Sequence, residues 1–326
     1  MLRPMSDNAT ALSSEAERRA ARWLAAWDAT GIHRTATAGD NAGADWLAGE
    51  AAALGARVTT EEFALDRLNP FATYLELDGE RIAGVPVFDA PATDAVGVTG
   101  RLGPAGSGAE IAVAELSPYA VYSGDAERLR RSGAPRGFVV LCAGAAPGLG
   151  LLNAESFRRP YGAPALHLPS AARETVLAAA ARGAAVRLVA ASRRIPATGR
   201  NVVIALLGRG NAGAPLVVMT PRSSWWHSVA ERGGGIVCWL ESLRALLAAP
   251  PSRPVVFTAN AGHELGHLGL EDFAARRPGW DRPANEGGAT WLLYGANIGA
   301  AGGMPSVLSP ADDLRALAAA ELGRSG

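Results

Sequence analysis

The chain has 326 residues, 48% of them hydrophobic, with 31 basic and 31 acidic side chains and no net charge at pH 7. This is enough apolar material for one large packed domain or two smaller ones. The charge balance excludes the basic footprint expected of a nucleic-acid binder or of a protein held on an acidic membrane surface.

No lysine occurs, and with so much Ala and Gly this reads as composition bias rather than chemistry. The N-terminal stretch MLRPMSDNATALSSEAERRA has no apolar signal core, and no apolar run reaches the ~18 residues that span a bilayer. A soluble, cytoplasmic protein is the expectation. Cys142 and Cys238 sit in the apolar runs FVVLCAG and GIVCWLE. They read as buried thiols.

In chain order, Ser14 and Glu17 have capping-box spacing for a helix through WLAAWDA that closes at Gly31. A second helix is predicted from Asp40 or Asn41 through ADWLAGEAAAL to Gly55, followed by a strand in ARVTTEEFAL. Residues 67–197 change character. They are rich in Gly, Pro and short β-like runs (TYLELDG, AVGVTGRL, EIAVAEL, GFVVLCAG, AVRLVAAS), with one helix in SAARETVLAAAARG. This predicts an inserted, mostly β domain at 67–197, with 1–66 and 198–326 forming the core.

From Asn201, apolar strands (NVVIALLG, APLVVMT, PVVFTAN, TWLLYGAN) alternate with helices (GIVCWLESLRALLA, HLGLEDFAARR). Such alternation predicts an α/β core with a mostly parallel sheet covered by helices on both faces. Gly208-Arg209-Gly210-Asn211-Ala212-Gly213 spells G-x-G-x-x-G. It joins strand to strand, however, and lacks the helix N-terminus that a phosphate cradle needs, so it reads as a turn.

Ligands of open α/β sheets bind beyond the carboxyl ends of the strands. Two such ends carry three of the five histidines. His227 and Glu231 follow APLVVMT, and His263, Glu264 and His267 follow PVVFTAN. A metal site needs three or four His, Asp or Glu groups to converge, and these five supply them. Bland readings stand beside this one. His227 fits a half-buried loop beside Trp225 and Trp226, and Glu231 suits a helix N-terminus. His33 and His167 read as structural. Arg222 fits either a grip on a substrate carboxylate or a pair with a surface acid.

His263-Glu264-Leu265-Gly266-His267 also matches H-E-x-x-H. A zincin needs that motif within a helix, with both imidazoles on one face. Here it directly follows an apolar strand and contains Gly266. Leu270 and Phe273 stand where the longer form of the motif needs Gly and a third His.

The whole layout resembles the M28 metallopeptidases, the co-catalytic zinc aminopeptidases, with a protease-associated-like domain inserted after the first strand. GADWLAGEAAALGARVTTEEFAL resembles the opening helix and strand, TGRNVVIALLG the strand where the core resumes, and RPVVFTANAGHELGHLGLEDF the strand before paired glutamates. The resemblance implies a peptide or small amide substrate and zinc. The ligands depart from the pattern. Arg222-Ser223-Ser224 replaces H-x-D, Glu231 takes the place of the bridging Asp, His263-Glu264 replaces the two glutamates, Ala296 or Asn297 stands at a later Asp, and no His follows 267. The chain also stops earlier than the family's core, which reads as a shortened C-terminus.

The expectation is therefore a rebuilt site for one divalent ion, held by His227, His263 and His267 with Glu231. Glu264 would move the proton and Arg222 would orient substrate. A non-catalytic binding module in the same cleft and a true zincin are the alternatives.

Overall fold

The structure is a computed structural model. It describes residues 6–117, 124–142, 148–149, 152–210, 214–299, 306–309 and 311–324.

Two helices open the chain, α1 (Ser6–Asp28) and α2 (Ala38–Ala53). The first runs straight through Ser14, so the expected capping box lies inside a helix rather than at its start. The Thr37 hydroxyl caps α2 by accepting from the Asp40 amide. β1 (Val58–Leu77) then pairs antiparallel with β8 (Ala185–Leu206) from Val58–Ile204 to Leu77–Val186, with one irregularity at Pro70–Ala72. This ribbon passes both expected domain boundaries without a break.

Beyond the ribbon, residues 80–181 supply β2 (Glu80–Ala83), β3 (Val85–Pro86), β4 (Val98–Pro104), β5 (Ile111–Leu116), α3 (Gly124–Ser132), β6 (Gly137–Cys142), β7 (Ala165–Leu168) and α4 (Arg173–Ala181). This stretch is rich in strands, with two short helices among them. β4, β5, β6 and β7 run parallel. The helix α3 was not foreseen, because its sequence GDAERLRRS is nearly all polar and buries only Ala126 and Arg130.

On the other side of β8 lie β9 (Leu216–Pro221), α5 (Gly234–Ala248), β10 (Val255–Asn260), α6 (Leu268–Ala275) and β11 (Thr290–Leu293). α7 (Asp312–Arg324) closes the described chain. The strand order is β11-β9-β10-β8-β4-β5-β6-β7-β3, a mixed sheet in which β10-β9-β11 are parallel.

Strand alternation explains why both faces of the core sheet are covered. Val202, Ile204, Val218, Val255 and Phe257 face Trp23, Trp27, Leu47, Ile236 and Trp239 of α1, α2 and α5. Val203, Val217, Met219 and Val256 face Phe273 of α6. Full burial of each such side chain stabilises the fold by about 1.5–3 kcal/mol. β11 ends the sheet with Leu292 and Leu293 exposed. A third cluster joins the two halves, with Phe63 and Leu68 of β1 packed among Phe88, Phe157, Ala261, Leu265 and Leu268.

Among the described residues neither Cys142 nor Cys238 is in a disulfide; the first is buried and the second half-buried. The turn at Gly208–Gly210 connects β8 to β9, two strands, and residues 211–213 lie outside the described residues. Among the described residues, no helix is long and apolar enough to cross a membrane.

Candidate functional site

Parallel pairing of β9 and β10 in the register Pro221–Asn260 sets their carboxyl ends side by side. The Arg222 amide continues the ladder by donating to the Asn260 carbonyl at 2.7 Å. The loop between α1 and α2 closes over both ends. His33 donates its amide to Trp226, and Ser224 donates to His33. Three segments therefore meet: residues 33–40, 221–233 and 261–267.

The H-E-x-x-H segment is not a zincin helix. His263–Leu265 is one 3-10 turn between two left-handed glycines, Gly262 at φ 81° and Gly266 at φ 74°. His267 is left-handed as well, at φ 63°, and α6 starts only after it. No continuous helix carries both imidazoles on one face. Left-handed backbone is available to Gly without steric cost, and a Cβ on Gly266 would lie 2.8 Å from the Glu155 carbonyl oxygen. Gly266→Ala is expected to lower stability by about 1–3 kcal/mol, read as a drop in the thermal unfolding midpoint. An unchanged midpoint would mean that the turn is not held this way.

Glu264 sits at the centre, with 0% of its surface exposed. Its Oε1 accepts from the Thr35 amide at 2.8 Å and the Thr35 hydroxyl at 2.6 Å, and its Oε2 accepts from the Ser223 hydroxyl at 2.6 Å. Those two hydroxyls in turn accept from the Gly262 amide at 2.8 and 2.7 Å. The carboxylate is thus held by three donors and shielded from water, as a buried charge must be.

Arg222 does not face a substrate. It is 1% exposed, and its Nη1 lies 2.7 Å from Asp40 Oδ1. It also donates to the backbone carbonyls of Asp40 and Arg200. Burial pushes the Asp40 carboxyl up to about 6, with Arg222 opposing the shift.

Glu231 lies on a single π-helical turn, Val229–Gly233, entered through left-handed Ser228. Its Oε1 pairs with Arg232 Nη2 at 2.8 Å, and its other oxygen is buried without a partner. Burial raises the Glu231 carboxyl. His227 stands apart on the surface, half exposed, with Nδ1 3.4 Å from Asp28.

His263 and His267 are in edge-to-face contact, with ring centroids 4.5 Å apart. Burial, reinforced by the nearby Arg232, lowers the His263 imidazole to about 3. The structure thus brings His263 and His267 together and leaves His227 elsewhere. Among the described residues, no three His, Cys, Asp or Glu side chains are grouped so as to hold a metal. The residues present do not fit the expected three-imidazole centre, since one ring is paired with Asp28 and Glu264 already accepts three hydrogen bonds.

His33 and His167 are buried as expected. His33 stacks on Trp27 at 3.5 Å and 6°. Burial lowers both imidazoles to about 4. Sequence reasoning missed Thr35 and Ser223 as partners of Glu264 and Asp40 as the partner of Arg222. The only local signal was the capping spacing of Thr37 and Asp40.

No family model matches the chain, and no curated protein matches it in sequence. Its fold is that of solved zinc aminopeptidases. A zinc aminopeptidase from Bacillus subtilis superposes with a TM-score of 0.62 at 17% identity, covering 82% of this chain and 65% of that one. A peptidase M28 precursor from Shewanella amazonensis gives a TM-score of 0.64 at 17% identity, covering 81% of this chain and 70% of that one. An aminopeptidase from Aneurinibacillus gives 0.60 at 14% identity, covering 85% and 69%. The chain spans about two-thirds of the length of these structures.

Proposed function

We propose that the chain is a non-hydrolytic binding module built on the zinc-aminopeptidase fold, taking a peptide-like ligand in the cleft beyond β9 and β10. Glu264 carries this reading. At the position where the resemblance implies a metal ligand, the carboxylate is closed off by Thr35 and Ser223. Arg222, in place of the H-x-D imidazole and acid, completes a buried ion pair with Asp40. Guanidinium groups repel a cation, and the Glu264 carboxylate already uses three of its roughly four acceptor sites on short hydrogen bonds. The network replaces the charge of a metal centre with internal pairs.

Metal content tests this. The full chain, purified and dialysed against zinc, is expected to retain well below one ion per chain by elemental analysis and to release no product from an aminoacyl anilide. The rebuilt one-ion hydrolase keeps one observation in its favour, the contact between His263 and His267. One ion per chain, lost in both His263→Ala and His267→Ala and accompanied by hydrolysis, would replace the proposed reading with that one.

A further inference from the structure

The same cleft carries an excess of buried donors. Arg34 follows His33 in the loop over the strand ends. Its guanidinium carbon lies 5.3 Å from the centroid of Phe88, and Phe88 packs on Trp225 at 4.4 Å. Arg67, on β1 where the ribbon passes between the two halves, donates through Nη1 to the carbonyl of Ala36. Arg34 Nε, Arg67 Nε and Trp225 Nε1 are all buried and without a hydrogen-bond partner. Among the described residues neither arginine forms an ion pair.

The acids close by are already engaged. Glu264 is held by Thr35 and Ser223, and Asp40 is held by Arg222. Two half-buried guanidinium groups near one another repel, and desolvation strengthens the repulsion. Burial, with Arg67 adding to it and the Glu264 carboxylate opposing, holds the Arg34 guanidinium below its ordinary range. Glu264 offsets part of this, but two guanidinium groups facing one buried carboxylate keep a positive excess that calls for an anion, and the forked geometry of guanidinium suits a carboxylate in bidentate contact. Phe88 and Trp225 add an apolar wall with one free N–H beside it.

We infer that Arg34 and Arg67, with Phe88 and Trp225, form a binding site for a carboxylate attached to an apolar group, the chemistry of a free peptide C-terminus. This names the ligand class of the cleft and rests on the binding-module reading above.

The test is calorimetric titration of the full chain with N-acetyl-phenylalanine and, separately, with its amide. The free acid is expected to bind at least tenfold more tightly than the amide, since both arginines contact the carboxylate. Arg34→Met keeps an aliphatic stem over Phe88, and Arg67→Gln keeps a donor toward Ala36. Each is expected to lose at least tenfold in affinity for the acid while keeping the far-ultraviolet dichroism of the parent. Equal binding of acid and amide, or no binding of either, would overturn the site. So would parental affinity in whichever variant folds. Inorganic phosphate displacing the acid at comparable concentration would reassign the pair to phosphate and overturn the carboxylate assignment. The two readings fail separately. Zinc-dependent cleavage of the anilide with the acid-over-amide preference intact removes only the non-hydrolytic reading. Absence of both cleavage and preference removes only the carboxylate site.

Discussion

Arg222→Met is expected to destabilise the fold by about 3–5 kcal/mol, the cost of stranding one member of a buried ion pair. Asp40 and Arg222 have side-chain exposures of 0% and 1% and meet at 2.7 Å. Truncating the arginine leaves the carboxylate with the Ala36 amide at 2.8 Å as its remaining donor among the described residues, in a place water does not reach. It also frees the carbonyls of Asp40 and Arg200, which the guanidinium now satisfies. The double variant Asp40→Leu/Arg222→Met removes both charges and is expected to recover most of the loss. Urea unfolding of the four proteins measures the coupling. A loss below about 1 kcal/mol in Arg222→Met would show that Asp40 does not depend on this partner.

Stability is expected to fall steeply between pH 6.5 and 4. His33 and His167 are buried as neutral rings, and their imidazoles are lowered from 6.5 to about 4. A depressed folded value means that the unfolded chain takes up protons first as pH falls. Each ring therefore contributes its full stabilisation above pH 6.5 and loses it progressively as pH falls toward and through 4. The shift of each corresponds to about 3 kcal/mol. Unfolding free energies measured in urea from pH 8 to 4 should show this acid limb. His167→Gln should flatten it by about a third, because the rings of His33 and His263 still titrate, while Asp40, raised to about 6, takes up a proton in the folded chain and offsets part of the limb. A profile level down to pH 4.5 would place both imidazoles in solvent.

Much of the architecture was legible because it rests on local patterning. The runs APLVVMT and PVVFTAN could only be strands buried on both faces, and they are β9 and β10. GIVCWLESLRALLA carries a helical stripe, and it is α5. The helix α3 was hidden because its few apolar side chains give no stripe. The site was less legible for a different reason. The residue spelling of H-E-x-x-H is unchanged by the backbone beneath it, and only Gly266 and the apolar strand directly before the motif hinted that the segment turns instead of coiling. The partners of Glu264 lie 41 and 229 positions away in sequence, as Ser223 and Thr35. No period or spacing relates such positions. The ion pair of Arg222 with Asp40 spans 182 positions and was equally out of reach.

The long ladder between β1 and β8 has one more consequence. Its strands run from the core sheet into the outer layer with one irregularity, at Pro70–Ala72, and the cluster around Phe63, Leu68 and Phe88 packs beside them. Domain closure of the hinge type turns on a few loop residues that absorb large backbone rotations, and these paired strands offer one irregular point, Pro70–Ala72. The two layers are therefore held at a set spacing along most of the ladder. On the binding-module proposal, a ligand would meet a ready-made shape, with little backbone rearrangement on arrival.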